Sequence, residues 1–313
     1  MKKYLLTILA AVFASLPAFS SMGSGGTRAG GITPDETYMF AKRDTCDLFM
    51  DIYNPAPGTD TLADGSKKPT IIFAFGGSFM TGSRDAENYL PWFRVMADNG
   101  YRIVSIDYRL GMKGYDKIGV FQVNALDRAI HMAVEDMISA TVYLLDNAES
   151  LDIDPSRIVI SGSSAGAITA LQTDYETSNR TSWAAPLPDG FRYAGVMSFA
   201  GAVLSRNGKL KYAQEPAPTL LMHGTEDSVV PYTQIKIFSL GFFGSSKIAE
   251  RFEKFGYAYN IFRHKGHNHE IAVAMYETVP EQLAFLKSNV CCKSGCCVDA
   301  TVVNPEIGFP YDK

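Results

Sequence analysis

Tryptophan is nearly absent, with two residues in 313, and cysteine is scarce: five in all, four of them crowded into the C-C-K-S-G-C-C of Cys291 to Cys297. Beyond the N-terminal segment, no apolar run reaches the ~20 residues that cross a bilayer, so no stable membrane insertion is expected. Charge of one sign is lacking too. With 29 Lys and Arg against 33 Asp and Glu, the formal net charge is −4, which argues against nucleic acid as a partner. There is no internal repeat, no H-E-x-x-H and no common zinc-ligand spacing, so neither a repeat architecture nor a resident metal is implied.

With 46% hydrophobic and 20% charged residues, the composition is that of a globular chain with a sizeable core. One domain is the default at this length. Met1-Lys2-Lys3-Tyr4, the apolar stretch Leu5 to Phe13 and the small residues Ala18 to Ser21 read as a secretory signal peptide over 1–21. No lipobox cysteine follows it, so a lipid anchor is not indicated and the expected destination is periplasmic or secreted. Residues 22–35, with the Gly- and Ser-rich Gly23 to Gly31, read as a flexible leader. The folded body is expected over 36–290, with 291–313 as a Cys-rich tail.

Thr70 to Phe75, Arg102 to Ile106, Ile158 to Ser161, Ala194 to Phe199 and Thr219 to Met222 are short apolar runs bounded by Gly, Pro or charge, as buried parallel strands are. Cys46 to Tyr53 alternates and then stops at Asn54-Pro55, as an outer strand does. Between the runs lie helix-length segments. In Asn124 to Ala148, Ala129, Ala133, Met137, Ala140 and Leu144 recur at three- and four-residue spacing. Strands alternating with helices predict an α/β protein with a doubly wound, mostly parallel sheet and helices on both faces.

The chemistry centres on Ile158 to Gly166, I-V-I-S-G-S-S-A-G. An apolar run that breaks into G-x-S-x-G and continues into an Ala-rich stretch is the setting of a nucleophile elbow, with Ser164 as nucleophile and Gly162 and Gly166 supplying room. A serine hydroxyl is a weak nucleophile and needs a base and an orienting carboxylate. H-G-T-E-D-S-V-V-P after the strand ending near Met222 offers Asp227, with Glu226 as a minority alternative. R-H-K-G-H-N-H-E after the probable last strand, Tyr257 to Phe262, offers His264, His267 and His269. Glycines after the strand in F-A-F-G-G-S-F make Gly77 and Ser78, together with Ala165, the expected oxyanion-hole donors. The three clustered histidines also admit a zinc reading, but a solvated loop explains the two spare ones more simply. His223 reads as structural, closing its strand end.

In an exported chain the cysteine cluster is expected to form disulfides, one of them to Cys46, with a soft-metal site as the alternative. Gly111 to Val123, which mixes Gly with Met, Tyr and Phe, is a candidate pocket wall. Tyr175 to Phe191, with Trp183, is a candidate lid segment.

From about Asp47 to Leu286 the chain resembles the α/β-hydrolase esterases related to hormone-sensitive lipase, carboxylesterases and the bacterial feruloyl and acetyl-xylan esterase group. F-G-G-S-F, D-Y-R-L at Asp107 to Leu110, D-I-D-P-S-R-I at Asp152 to Ile158, G-S-S-A-G and H-G-T-E-D-S-V-V-P carry the resemblance. It implies the α/β-hydrolase fold, Ser164 as nucleophile, Asp227 as orienting acid and His267 as base. The sequence departs from the family at Phe75, where H-G-G-G has its histidine, and at Ser78, in place of a third glycine or alanine.

The expected function is a serine carboxylic-ester hydrolase without metal or organic cofactor. Its expected partner is a small-molecule or carbohydrate ester, feruloyl and acetyl sugar esters first. A serine exopeptidase of the dipeptidyl-peptidase kind, a catalytically silent binding module and a metal-dependent hydrolase are the competing classes. The oligomeric state is not legible.

Overall fold

The computed structural model describes residues 31–115, 122–237 and 239–307. The expected signal peptide and most of the expected leader lie outside the described residues, and 31–35 carry no regular structure.

The main sheet has nine strands in the order β1 (Glu36–Lys42), β2 (Asp47–Tyr53), β4 (Arg102–Ile106), β3 (Thr70–Ala74), β5 (Ile158–Ser163), β6 (Gly195–Phe199), β8 (Thr219–Gly224), β11 (Tyr259–His264) and β12 (Val298–Val302). β1, β2 and β4 pair antiparallel, and every pairing from β4 to β12 is parallel. Parallel strands covered on both faces must be apolar throughout, and Ile71, Ile72, Phe73, Val159 and Ile160 are fully buried.

Helices cover both faces. The ring of Phe73 packs on Trp92 and Phe93 of α1 (Leu90–Asp98), each at 5.3 Å between centroids. Its neighbour Ala74, which alternation turns the other way, lies under the start of α3 (Ala165–Ser178). α2 (Val123–Asp146) packs on α3 and buries Ala129, Ala133, Met137, Ala140 and Leu144, the expected stripe. α4 (Ser245–Phe255) lies along β11, and α5 (Val279–Phe285) is tied to α1 by Trp92 Nε1 donating to Gln282 Oε1 at 2.7 Å. No helix of the described residues is long and apolar enough to cross a membrane.

Two expectations are corrected. The stretch set apart as a tail contributes β12 to the main sheet, where its inner row of backbone groups pairs with β11. All five cysteines are free. Cys46 lies in the turn between β1 and β2, at one edge of the sheet, whereas Cys296 and Cys297 precede β12 at the opposite edge, so the expected bridge would have to span the whole sheet. A second sheet was not anticipated: β7 (Ala202–Ser205), β9 (Gln234–Ile237) and β10 (Leu240–Gly244), antiparallel in the order β7-β10-β9.

Candidate active site

β5 ends at Ser163 and α3 begins at Ala165, leaving Ser164 alone at the corner with φ 51° and ψ −114°. That conformation costs a non-glycine residue of the order of 1–3 kcal/mol and persists only where its surroundings enforce it. Here the Ser164 amide donates to Phe199 O at 2.8 Å and its carbonyl accepts from Ile168 N at 2.9 Å. The flanking glycines serve close approach. A Cβ on Gly162 would stand 2.2 Å from Gly166 backbone, and one on Gly166 would stand 2.0 Å from Ala74 O.

Asp227 follows β8 and is fully buried in its side chain. Its Oδ1 accepts from the Val229 and Val230 amides, each at 2.8 Å, and its Oδ2 accepts from His269 Nδ1 at 2.8 Å. Because a carboxylate only accepts, Nδ1 of His269 carries the proton, and Nε2 is left to accept from Ser164 Oγ, also at 2.8 Å. Burial opposes the charge on Asp227, but hydrogen bonds from His223 and His269 outweigh it and hold the carboxyl well below the usual carboxylate range.

The histidine that meets Ser164 is therefore His269, not the expected His267. His267 sits in the first turn after β11, where its carbonyl accepts from Glu226 N, and its ring faces away from the serine. Nδ1 of His267 lies 2.9 Å from Glu270 Oε1 and Nε2 lies 2.6 Å from Asn304 O. Two further residues are needed for the chain to turn back toward β5, where Ala272 O accepts from Ser163 Oγ at 2.7 Å. His267 lies outside any helix, so its pairing with Glu270 three residues on leaves no periodic signal in the sequence. His264 is buried with no hydrogen-bond partner for either ring nitrogen, and burial, with the nearby His267 and His223, pushes it down to about 4. Glu226 is exposed.

The turn after β3 contains Gly77, Ser78 and Phe79 at φ 129°, 56° and 60°. Ser78, Phe79 and Ala165 line a small cleft with Ser164; Gly77 does not, and its carbonyl closes the turn by accepting from the Met80 and Thr81 amides. Ala165, first in α3, has no carbonyl four residues back within its helix, so its amide is free of the helix ladder. A phenylalanine at positive φ is a genuine outlier, and Phe79 escaped the sequence reading. The departure at Phe75 is also explained. Its ring stacks on Tyr108 with centroids 4.4 Å apart, Tyr108 Oη donates to Phe75 O at 2.8 Å, and the Gly76 amide donates to Tyr89 Oη at 3.0 Å. Two tyrosines thus fix this loop.

Leu126, Ile168, Val229, Val230 and Phe242 complete the cleft, which is apolar apart from the Ser164 end. Trp183 is not among the lining residues. Its ring stacks on His131 at 3.9 Å, and the Arg206 guanidinium lies 4.1 Å from its centroid, so it clamps its loop rather than covering the site. Much of the Gly111 to Val123 wall, residues 116–121, lies outside the described residues; Met112 N donates to Phe79 O at 2.9 Å.

The family model described as BD-FAE matches residues 50–187, a stretch that holds the turn at Gly77 to Phe79 and Ser164 and ends before Asp227 and His269. Neuroligin-2 of Mus musculus is 35% identical over 128 residues, 40% of this chain and 13% of that protein. Carboxylesterase 5A of Ovis aries is 32% identical over 125 residues, 39% of this chain and 29% of that protein. The matched stretch thus spans 13% and 29% of these two curated relatives. Among solved structures, the native form of Est2, an esterase of the Planctomycetes species Thermogutta terrifontis, matches at TM-score 0.57 and 22% identity over 80% of this chain and 91% of its own.

Proposed function

We propose that this chain, an α/β-hydrolase by its fold, is a serine carboxylic-ester hydrolase that works through an acyl-serine intermediate. The observation that carries the reading is the continuous chain Ser164 Oγ, His269, Asp227, with both links at 2.8 Å, ending on a strained serine at the mouth of an apolar cleft. Ser164 Oγ attacks the ester carbonyl carbon as its proton passes to His269 Nε2. The oxyanion is received by the Ser78 and Ala165 amides, and His269 returns the proton to the leaving alcohol. A water activated by the same imidazole then releases the acid and restores Ser164. Asp227, kept charged by its buried donors, holds the tautomer that each transfer needs.

Acetyl or feruloyl esters of carbohydrate are the substrates this reading favours. The apolar lining suits an acyl group, and the N-terminal charged and apolar segments favour export to where acylated polysaccharide is met.

The test is hydrolysis of short p-nitrophenyl esters and methyl ferulate by the chain without residues 1–21. Ser164→Ala and His269→Ala should each lose at least about 1,000-fold in kcat, whereas His267→Ala should stay within about tenfold, and a chelator should change nothing. Full activity in His269→Ala, or its loss in chelator, would overturn the mechanism.

A further inference from the structure

Asp227 is held from two sides. His269 approaches Oδ2 from the loop after β11, and His223, the next-to-last residue of β8, approaches the same oxygen from beneath, with Nε2 at 3.1 Å. His223 is wholly buried. Nε2 faces two acceptors, Asp227 Oδ2 and Val230 O at 3.2 Å, so it must carry a proton. Nδ1 faces Ser245 Oγ at 2.8 Å, the first residue of α4, and a hydroxyl can donate there. The neutral Nε2–H tautomer thus satisfies every bond.

We propose that His223 is a positioning residue of the active site: with Ser245 fixing its tautomer, it donates to the Asp227 oxygen that orients His269, and so governs both the aim and the charge of that carboxylate. This rests on the ester-hydrolase reading for its kinetic consequence, though not for its structural one. The path runs Ser245, His223, Asp227, His269, Ser164, from the start of one helix to the start of another. Val230 belongs both to the path and to the cleft wall. A carboxylate oxygen that shares its charge between two N–H groups pulls less on either. Without the His223 donor, Oδ2 attracts the His269 proton more strongly, and the carboxylate is held by His269 and by the Oδ1 bonds to Val229 and Val230 alone.

Other ionisable groups near His223 come from two elements. Tyr232, in the loop after β8, packs edge-on at 5.6 Å between centroids, and Arg263 of β11, opposite His223 in the sheet register, donates to the Tyr232 hydroxyl. His264 is the next residue along β11. Arg263 is engaged by the Tyr232 hydroxyl and by Asp299, which leaves His223 as the polar side chain touching Asp227 from below.

His223→Leu removes the donor, and His223→Gln restores it, since a glutamine amide reaches about as far as Nε2. In His223→Leu, kcat for a p-nitrophenyl ester should fall on the order of 10- to 100-fold with KM nearly unchanged. The acidic limb of the kcat/KM profile should move to higher pH, because His269 then loses its proton less readily. His223→Gln should recover most of kcat and return the limb, and Ser245→Ala should give a smaller shift of the same sign. Equal losses in Leu and Gln with an unmoved limb would overturn the proposal.

Proton NMR in water supplies a readout that needs no turnover. Wild type and Ser164→Ala should both show two exchange-protected imidazole N–H signals downfield of the amides from His223 and His269, beside that of His267, which its loss in His267→Ala identifies. His223→Leu should lose one and shift the other. Two unchanged signals in that variant would overturn the proposal even if no ester is hydrolysed. Two signals with no hydrolysis in wild type would instead fault the ester-hydrolase reading.

Discussion

Asp174, in the C-terminal half of α3, holds its carboxyl group buried. Both of its oxygens reach only the Ala217 amide, at 3.3 Å. Burial pushes its carboxyl up to about 7, against the weaker opposing pull of that amide and of Arg192. A folded-state value raised above the ordinary one means that the native state holds the proton longer, so the stabilisation is complete below about pH 4 and is lost as pH climbs through about 7. Asp174 should therefore cost the protein more at pH 8 than at pH 5, against the opposite contribution of His264, so the melting temperature of Asp174→Asn minus that of wild type should be larger at pH 8 than at pH 5. Circular-dichroism melts at the two pH values decide it, and an unchanged slope in the variant would discard the assignment. At this scale Ser164 and Asp227 were legible because each sits just past an apolar run, where strand order alone places it. His269 was not, since the choice among three histidines depends on where β11 ends and which way the following turn runs. Nothing short of the Glu270 and Asn304 partners of His267 decides that.

Among elements, the buried parallel strands announced themselves as unbroken apolar runs, and α2 through its three- and four-residue stripe. β7, β9 and β10 escaped notice. They are four to five residues long, and their register comes from one another rather than from a periodic face. β12 escaped as well, because Val298 to Val302 alternates half-buried and exposed positions and its only strand neighbour is β11. The small sheet matters because Phe242 of β10 walls the cleft opposite Ile168 and Leu126. Phe242→Ala should let longer acyl chains seat. With roughly 0.8 kcal/mol per newly buried methylene, the butanoate-to-acetate ratio of kcat/KM should rise about tenfold. A ratio that stays put would mean that the acyl group lies elsewhere.

At the level of the whole molecule, the site is built from residues far apart in the chain: the Ser164–His269 bond joins positions 105 residues apart, and His269–Asp227 joins positions 42 apart. Parallel pairings of this kind close late, because each must first bring distant segments together. On dilution from denaturant, far-UV ellipticity should therefore return before ester turnover, with the lag visible by stopped-flow and timed assay. Simultaneous recovery would show that the helices and the site form in one step.

The edge strand beside β11 has a second meaning. β12 caps a strand that reads Tyr-Asn-Ile-Phe-Arg-His, and it carries Asp299, bound by both Nε and Nη2 of Arg263, on its outer course. Without residues 298–302, β11 would present a bare row of amides and carbonyls flanked by Ile261 and Phe262, a template on which a second molecule could add its own strand. The strand that leads into Asn304, the partner of the His267 ring, thus also guards against self-association, and colloidal solubility at high concentration becomes a property of the segment that ends beside the catalytic loop.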